Sequence, residues 1–223
     1  MRPLRKFLLP CALVAILLVV TFNFISKEAR DAPIVAGGSK LELDRSNRFE
    51  GFNNETGVDE FIVPNVIHYI RFNKTSFSFV DYVCIRSAWI NHRPETIYFH
   101  TNVDKFSGVY WDRMVQDAEF FQRIKVVPIE LPSEVFGQPL STGWRLFHGS
   151  DVARIRMMRQ YGGIYLDNDI YVVRNLDKYR KFEIAMGWDE NQFLGSQVII
   201  AHKEARFLDL WLDTYREYHA DKW

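Results

Sequence analysis

Cysteine is scarce in this sequence: 223 residues contain only Cys11 and Cys84. Because Cys11 lies in a long apolar segment near the N-terminus, Cys84 has no second cysteine beyond that segment, which excludes an intrachain disulfide there. The chain also has no excess charge of either sign, since 28 basic residues match 28 acidic ones. A nucleic-acid-binding surface would leave a basic footprint, so no nucleic-acid partner is expected. Internal repeats and low-complexity tracts are absent as well.

The one long apolar segment runs from residue 7 to residue 25 and contains no charged residue. A segment of this length suffices to cross the hydrocarbon core of a bilayer, which takes roughly 20 residues. Arg2, Arg5 and Lys6 precede it, which by the positive-inside rule keeps the N-terminus cytoplasmic. We therefore expect a cytoplasmic tail over residues 1–6 and a transmembrane anchor over residues 7–25. A cleaved signal peptide is the alternative, but the segment is long for one and lacks a small-residue cleavage pattern.

Beyond the anchor, the composition changes from polar to aromatic and apolar. Residues 26–60 are polar and predict a luminal stem, whereas residues 61–223 are long enough and apolar enough for one domain. Two sequons agree with a luminal location and make Asn54 and Asn73 candidate glycosylation sites.

Strand and helix patterns alternate along the domain. Apolar runs predict strands over residues 66–70, 97–100, 126–129, 164–167, 183–188 and 197–201. Helical patterns cover residues 79–91, 110–121, 152–161 and 205–218. This alternation predicts an α/β domain with a mostly parallel central sheet. Ligands in such sheets bind beyond the carboxyl ends of the strands.

The most informative segment reads Gly162-Gly163-Ile-Tyr-Leu-Asp167-Asn-Asp169-Ile-Tyr-Val. It predicts an apolar strand that ends in two carboxylates one residue apart. Because strand side chains alternate, Asp167 and Asp169 should face the same way, with Cα atoms roughly 6.6 Å apart. Mg²⁺ and Mn²⁺ sites take one or two protein carboxylates and leave other positions to water and phosphates. A metal-bound diphosphate is therefore the first hypothesis, and a solvated turn is the plain alternative.

The helix before this strand supplies two more polar residues. Ser150 is a plausible N-cap, which would put Asp151 in the first turn, where the helix dipole favours a negative charge. Asp151 and Arg154 are three residues apart and therefore share a helix face. Because helix and strand should lie antiparallel, both residues should arrive at the rim that carries Asp167 and Asp169. The alternative is that Asp151 and Arg154 pair only with each other on the surface.

The ordered set Ser150-Asp151-x-x-Arg154, then Gly162-Gly163-Ile-Tyr-Leu-Asp167-x-Asp169, resembles the signature of the DXD-motif sugar-transferase family. That family includes Golgi α1,4-galactosyltransferases, α1,4-N-acetylglucosaminyltransferases, fungal initiating mannosyltransferases and clostridial glucosylating toxins. Residues 63–69 and 87–89 are similar to the first strand and first helix of the family. The resemblance implies a GT-A fold, a UDP-sugar donor, Mn²⁺ or Mg²⁺, and transfer with retention at the anomeric carbon.

The resemblance also implies a role for individual residues. Asp169 would contact the metal directly, and Asp167 would contact the water shell of the metal and the ribose or sugar of the donor. Asp151 and Arg154 match the pair that holds the hydroxyls of the donor sugar. His68 and Tyr69 fall where the first strand of the family meets the nucleotide.

No catalytic nucleophile is implied by the resemblance. Asp189 and Glu190 follow the strand predicted over residues 183–188 and are the candidate catalytic carboxylates, with solvated loop acids as the alternative.

The expected function is that of a single-pass type II Golgi membrane glycosyltransferase. It would move a hexose or N-acetylhexosamine from a UDP-sugar to a glycan or glycolipid acceptor. Family members usually continue well past the helix that corresponds to residues 205–218, so the domain looks C-terminally incomplete. An impaired paralogue or a fragment that binds sugar nucleotides or glycans is the alternative. A phosphatase of the haloacid dehalogenase type is disfavoured, because it needs a threonine or similar residue where this chain has Tyr171.

Overall fold

The computed structural model describes residues 49–187, 191 and 194–220. The predicted tail, the predicted anchor and the stem up to residue 48 lie outside these residues, as do Asp189 and Glu190. Within the described part of the chain, the helices are all too short or too polar to span a bilayer.

The described residues form eight strands and five α-helices. The strands are β1 (Val66–Arg71), β2 (Thr96–Thr101), β3 (Ile124–Pro128), β4 (Glu134–Val135), β5 (Gln138–Pro139), β6 (Gly163–Leu166), β7 (Ile184–Met186) and β8 (Val198–Ala201). The helices are α1 (Phe79–His92), α2 (Val109–Gln116), α3 (Ala118–Arg123), α4 (Arg145–Tyr161) and α5 (Arg206–Thr214). Two short 3₁₀ helices cover Asp177–Lys181 and Tyr215–Glu217.

Six of the strands form a central sheet in the order β3-β2-β1-β6-β8-β7. The pairs β3·β2, β2·β1 and β1·β6 are parallel, whereas β6·β8 and β8·β7 are antiparallel. The predicted α/β class with a mostly parallel sheet is therefore confirmed. Since Ile67 pairs with Ile164 and His68 with Tyr165, the carboxyl ends of β1 and β6 meet at one edge. Ligands of open α/β sheets bind at such an edge.

Helices cover both faces of the sheet. On one face α1, α2 and α3 pack against a large apolar cluster, which contains Ile67, Tyr69, Ile97, Phe99, Ile164, Leu166, Ile85, Trp89, Met114 and Phe120. On the other face α4 and α5 pack against a smaller one, which contains Ile70, Tyr165, Ile199, Ala201, Ala153, Met157, Met158 and Leu208. Because both faces are covered, β1 and β6 are buried along almost their whole length, as is typical of parallel strands between helical layers.

The start of α4 differs from the sequence prediction. The helix begins at Arg145, so Ser150 lies inside it and donates its hydroxyl to the carbonyl of Leu146 at 2.5 Å instead of capping the helix. Asp151 is consequently not in the first turn. Gly149 disfavours a helix locally, but packing favours it here, because a Cβ would lie 2.8 Å from Cδ1 of Leu131 and 3.1 Å from the carbonyl oxygen of Pro132. Tertiary packing thus lets the helix begin ahead of Ser150, the residue at which local propensity would start it.

Two other helices differ from the predicted boundaries. The helix predicted over residues 110–121 is divided at Asp117, whose carboxylate accepts the N–H of Phe120 at 3.1 Å and so caps α3. The helix predicted over residues 205–218 ends at Thr214 and continues as a 3₁₀ turn.

The last residues of the predicted stem pack against the domain. Phe49 is buried, and its ring lies 5.5 Å from that of His202. The N–H of Val58 donates to the carbonyl of Lys181 at 3.0 Å. The folded unit therefore includes residues ahead of position 61.

The glycine pair between α4 and β6 permits close contact with β1. Gly162 and Gly163 have φ angles of +64° and +102°, which side chains disfavour. A Cβ on Gly163 would lie 2.6 Å from Cγ2 of Val66 and 2.9 Å from its carbonyl oxygen. Gly163 therefore allows β6 to lie directly beside β1.

We expect Gly163→Ala to lower the free energy of unfolding by about 3 kcal/mol or more, because it adds both backbone strain and overpacking. Urea unfolding would measure the loss. Gly137→Ala controls for the backbone conformation alone, since Gly137 has φ +76° in open space, and should cost about 1–2 kcal/mol. Gly143→Ala has neither problem and should change stability by less than about 0.5 kcal/mol. Equal losses in all three variants would contradict the packing argument.

Candidate functional site

The two aspartates of the DXD segment lie in a turn that follows β6. The strand ends at Leu166, and the N–H of Ile170 donates to the carbonyl of Asp167 at 3.1 Å. The prediction that the strand continues through both aspartates is therefore wrong, and strand alternation does not relate Asp167 to Asp169. The ladder ends here because β8, the partner of β6, begins at Val198, where it pairs with Leu166.

Arg154 joins the polar residues that the sequence places at this rim. Its Nη2 lies 3.2 Å from Oδ1 of Asp151 and 3.4 Å from Oδ1 of Asp167. Its Nη1 donates to the carbonyl and to the hydroxyl of Ser196 at 3.0 and 2.5 Å. The guanidinium is buried, so Asp151 and Arg154 do not form an isolated surface pair. The structure brings Asp151, Arg154 and Asp167 together.

Tyr165 and Ser196 also belong to this group, although the sequence analysis did not single them out. The hydroxyl of Tyr165 donates to Oδ1 of Asp167 at 2.5 Å, and the guanidinium of Arg154 lies 4.9 Å from its ring. Tyr165 precedes Asp167 by two positions at the end of a strand, and strand alternation could have indicated that contact. Ser196 reaches Arg154 from the segment before β8, for which the sequence contains no local signal.

Burial and charge affect the carboxyl group of Asp167 in opposite directions. Burial raises its pKa above the ordinary value, and this effect exceeds the lowering by Arg154 and Tyr165, while the nearby charge of Asp169 adds to the increase. A divalent cation would favour the ionised form of such a group.

Asp169 differs from the other acidic residues of the rim. It is exposed and makes no hydrogen bond or ion pair with the described residues. Two carboxylates next to each other, one of them accessible, fit the oxygen ligands that Mg²⁺ and Mn²⁺ prefer. Within the described residues, no group of three or more histidine, cysteine, aspartate or glutamate side chains forms a metal cluster.

His68 and Tyr69, predicted to contact the nucleotide, do not reach the rim. Both side chains are fully buried, so this assignment is corrected to a place in the core of the sheet. Nε2 of His68 lies 3.0 Å from the carbonyl of Gly162, and Nδ1 lies 2.9 Å from Nε2 of His100. Because a carbonyl only accepts, His68 donates through Nε2 and accepts from His100 through Nδ1.

An open cavity of about 450 Å³ lies beside the loop that follows β1. Its lining is mostly polar and consists of Asn73, Lys74, Thr75, Ser76, Phe77, Ser78 and Asp81. The predicted glycosylation sites Asn54 and Asn73 are both exposed, and Asn73 forms part of this lining. The catalytic assignments of Asp189 and Glu190 remain predictions, because both residues lie outside the described part of the chain.

Comparison with known proteins finds a family that matches this region. Residues 80–185 match the family described as a glycosyltransferase sugar-binding region containing a DXD motif. The match includes Asp151, Arg154, Asp167 and Asp169. The resemblance predicted from the signature is thereby confirmed, and glycosyltransferase, the predicted enzyme class, is the class of the matched family.

A curated relative and two solved structures are similar to the chain. Glucan organizing enzyme 1 of Cryptococcus neoformans var. grubii is 27% identical over 180 residues, which are 73% of this chain and 46% of the relative. This chain thus spans about half the length of that relative. PaToxG glycosyltransferase is 19% identical with a TM-score of 0.43, and the match covers 72% of this chain and 64% of the PaToxG chain. The galactosyltransferase LgtC, in complex with donor and acceptor sugar analogs, is 14% identical with a TM-score of 0.41. The match covers 70% of this chain and 67% of LgtC.

The buried histidine pair should make stability depend on pH. Burial lowers the pKa of His68 to about 3, with His100 acting in the same direction, and burial lowers the pKa of His100 to about 4. Below the ordinary value of 6.5 the unfolded chain binds protons that the folded chain does not. Stability is therefore present above pH 6.5 and is lost as the pH falls toward 4.

We expect the free energy of unfolding to fall between pH 7 and pH 5 in both proteins. The fall should be about 1–2 kcal/mol smaller in His100→Gln than in the unmodified protein, because one buried neutral histidine is removed. Urea unfolding at the two pH values would measure the difference. His219→Gln serves as the control, since His219 is exposed. An unchanged pH dependence in His100→Gln would contradict the assignment of a neutral buried pair.

Removal of the guanidinium of Arg154 should destabilise the fold. We expect Arg154→Met to lower the free energy of unfolding by about 2–4 kcal/mol. The loss should be smaller than for a fully buried ion pair, because the side chains of Asp151 and Asp167 are 20% and 32% exposed. The matched control on the same helix is Arg159→Met, which removes a half-exposed pair with Asp209 and should cost less than about 1 kcal/mol. Thermal and urea unfolding would compare the two, and equal losses would count against a special role for the buried guanidinium.

Proposed function

We propose that this protein is a metal-dependent glycosyltransferase with a GT-A-like domain, which transfers a sugar from a nucleoside diphosphate sugar. The observation that carries the proposal is the position of the DXD turn. It lies at the carboxyl edge of a mostly parallel sheet, with Arg154 bound to both Asp151 and Asp167. The family match over residues 80–185 supports the same class.

Mn²⁺ or Mg²⁺ would be held by Asp169, with Asp167 beside it. When bound, the cation would act as a Lewis acid on the diphosphate leaving group. Asp169 suits this role because its carboxylate is accessible and has no partner among the described residues. Asp167 is fixed in orientation by the hydroxyl of Tyr165 and the guanidinium of Arg154.

The protein's own residues would bind and orient the donor. The carboxylate of Asp151 can accept hydrogen bonds from sugar hydroxyls, while Arg154 keeps it next to Asp167. The cavity after β1 has the volume of a small-molecule site, and its polar lining suits the nucleoside part of the donor. Buried Arg154 also keeps its positive charge near the place where leaving-group charge develops.

The donor sugar, the acceptor and the location in the cell extend the proposal. We assign a UDP-linked hexose or N-acetylhexosamine, a glycan or glycolipid acceptor and retention of anomeric configuration on the basis of the signature. The name of the fungal relative refers to glucan, which agrees with a carbohydrate acceptor. The apolar segment over residues 7–25 and the sequon at Asn54 support a type II Golgi membrane protein.

The decisive experiment measures UDP released from a panel of UDP-sugars by the purified full chain with Mn²⁺. We expect Asp169→Ala to reduce metal-dependent release by at least about 100-fold, because several kcal/mol of charge stabilisation is lost. Its free energy of unfolding should change by less than about 0.5 kcal/mol, since the side chain is exposed. Asp112→Ala, an exposed aspartate on α2, is the control and should retain full release.

Two outcomes would contradict the proposal in different ways. Binding of a UDP-sugar without turnover in the unmodified protein would indicate a sugar-nucleotide-binding protein instead of an enzyme. Turnover that persists in Asp169→Ala and without added metal would remove the metal from the proposal.

A further inference from the structure

A buried arginine lies at the carboxyl end of β1, between the DXD turn and the cavity. Arg71 is only 2% exposed. Its Nη1 donates to Oδ1 of Asn168 at 2.8 Å, and its Nη2 donates to the carbonyl of Ser76 at 2.7 Å and lies 3.2 Å from Oδ2 of Asp81. One nitrogen of the guanidinium therefore contacts the turn, and the other contacts the loop after β1.

Asn168 is the middle residue of the DXD turn and is held on both sides of its amide. Its Oδ1 accepts from Arg71, and its Nδ2 donates to the carbonyl of Ile70 at 2.9 Å. Both contacts come from the end of β1. The turn that carries Asp167 and Asp169 is consequently fixed to the neighbouring strand through Asn168.

On its other side, Arg71 supports the lining of the cavity. Its guanidinium lies 3.9 Å from the centre of the Phe77 ring. Asp81 also accepts the N–H of Ser78 at 2.7 Å, while the hydroxyl of Ser78 accepts the N–H of Asp81 at 3.1 Å. Arg71 thus contacts Ser76, Phe77 and Asp81, and these three residues line the cavity.

The chemistry of this contact requires an arginine. The planar guanidinium presents donors in diverging directions, whereas the single ammonium of a lysine cannot reach both the turn and the loop in the same way. Nε of Arg71 is buried and has no hydrogen-bond partner among the described residues. A buried charge with an unsatisfied donor contributes little net stability. We therefore look for the role of Arg71 in the position that it gives to the groups around it.

We propose that Arg71 is a positioning residue that joins the DXD turn to the wall of the cavity, so that both halves of the donor site keep one arrangement. This inference rests on the proposed function for its consequence, although the contacts themselves do not. An occupant that orders the cavity wall also orders the turn through Arg71. The affinities for a nucleotide in the cavity and for a cation at the turn are then linked, and linkage of this kind is reciprocal.

The first test uses hydrogen–deuterium exchange of the full chain without ligand. Arg71→Lys and Asn168→Ala should both speed exchange of amides in residues 73–78 and 167–172, because each removes the link from one side. Arg86→Lys is the matched control. Arg86 lies on α1, pairs with Asp117 at 2.6 Å and stacks on Phe120, but it contacts α3 instead of the rim. The control should leave exchange in both segments unchanged.

The second test measures Mn²⁺ affinity by calorimetry with and without UDP. In the unmodified protein UDP should strengthen Mn²⁺ binding about 5-fold or more, within the usual range of coupling between sites. In Arg71→Lys and Asn168→Ala this enhancement should shrink to the part that comes from direct contact between the diphosphate and the cation, and Mn²⁺ binding with UDP should weaken about 10-fold or more, as for other residues that orient metal ligands. Arg86→Lys should retain both values.

The results separate this inference from the proposed function. Failure of Mn²⁺ and UDP to bind the unmodified protein would overturn the proposed function, while faster exchange in both segments of the two variants would still support the structural link. Faster exchange in only one segment, or retention of the full UDP enhancement in both variants, would overturn the role of Arg71. If Arg71→Lys fails to fold, Asn168→Ala decides the matter, because Arg71 keeps Asp81 and Ser76 as partners there.

Discussion

The site depends on the parallel pairing of β1 with β6. This pairing places the loop after β1 and the turn after β6 at the same edge of the sheet. It requires the glycine pair between α4 and β6, because a side chain on Gly163 would collide with Val66. The same connection keeps α4 next to β6, so that Arg154 on the helix reaches Asp167 just beyond the strand. Sheet pairing, helix position and carboxylate placement are thus consequences of one contact.

Charge at this edge is divided between protein partners and an accessible carboxylate. Arg71 pairs with Asp81, and Arg154 pairs with Asp151 and Asp167. Asp169 has neither a hydrogen bond nor an ion pair with the described residues and faces solvent. Burial raises the pKa of Asp167 in spite of its cationic neighbour. Perturbed carboxyl groups at the edge of a sheet are a frequent property of functional sites, where position is maintained at a cost in stability.

Sequence spacing was sufficient for the local part of the site. Asp151 and Arg154 share a helix face because of the helical period, and the return of the chain through two glycines brought them to Asp167. Contacts between distant segments could not be predicted. Arg154 meets Ser196 and Arg71 meets Asn168 through strand order, which no local pattern encodes. Long-range packing also explains the error at His68, because Tyr98 of β2 and Tyr161 of α4 cover a ring that resemblance alone placed at the nucleotide.

The order of the strands has a consequence for how the chain folds as it is synthesised. β2 can pair with β1 after about 30 residues, but Asn168 lies 97 residues beyond Arg71. Until β6 emerges, one edge of β1 stays unpaired while β2 and α1 have already formed around it. Contacts of such long sequence separation form slowly, and an open edge invites pairing with other chains. The donor edge can therefore form only after most of the domain has emerged, and β8 then completes the central sheet by pairing between β6 and β7.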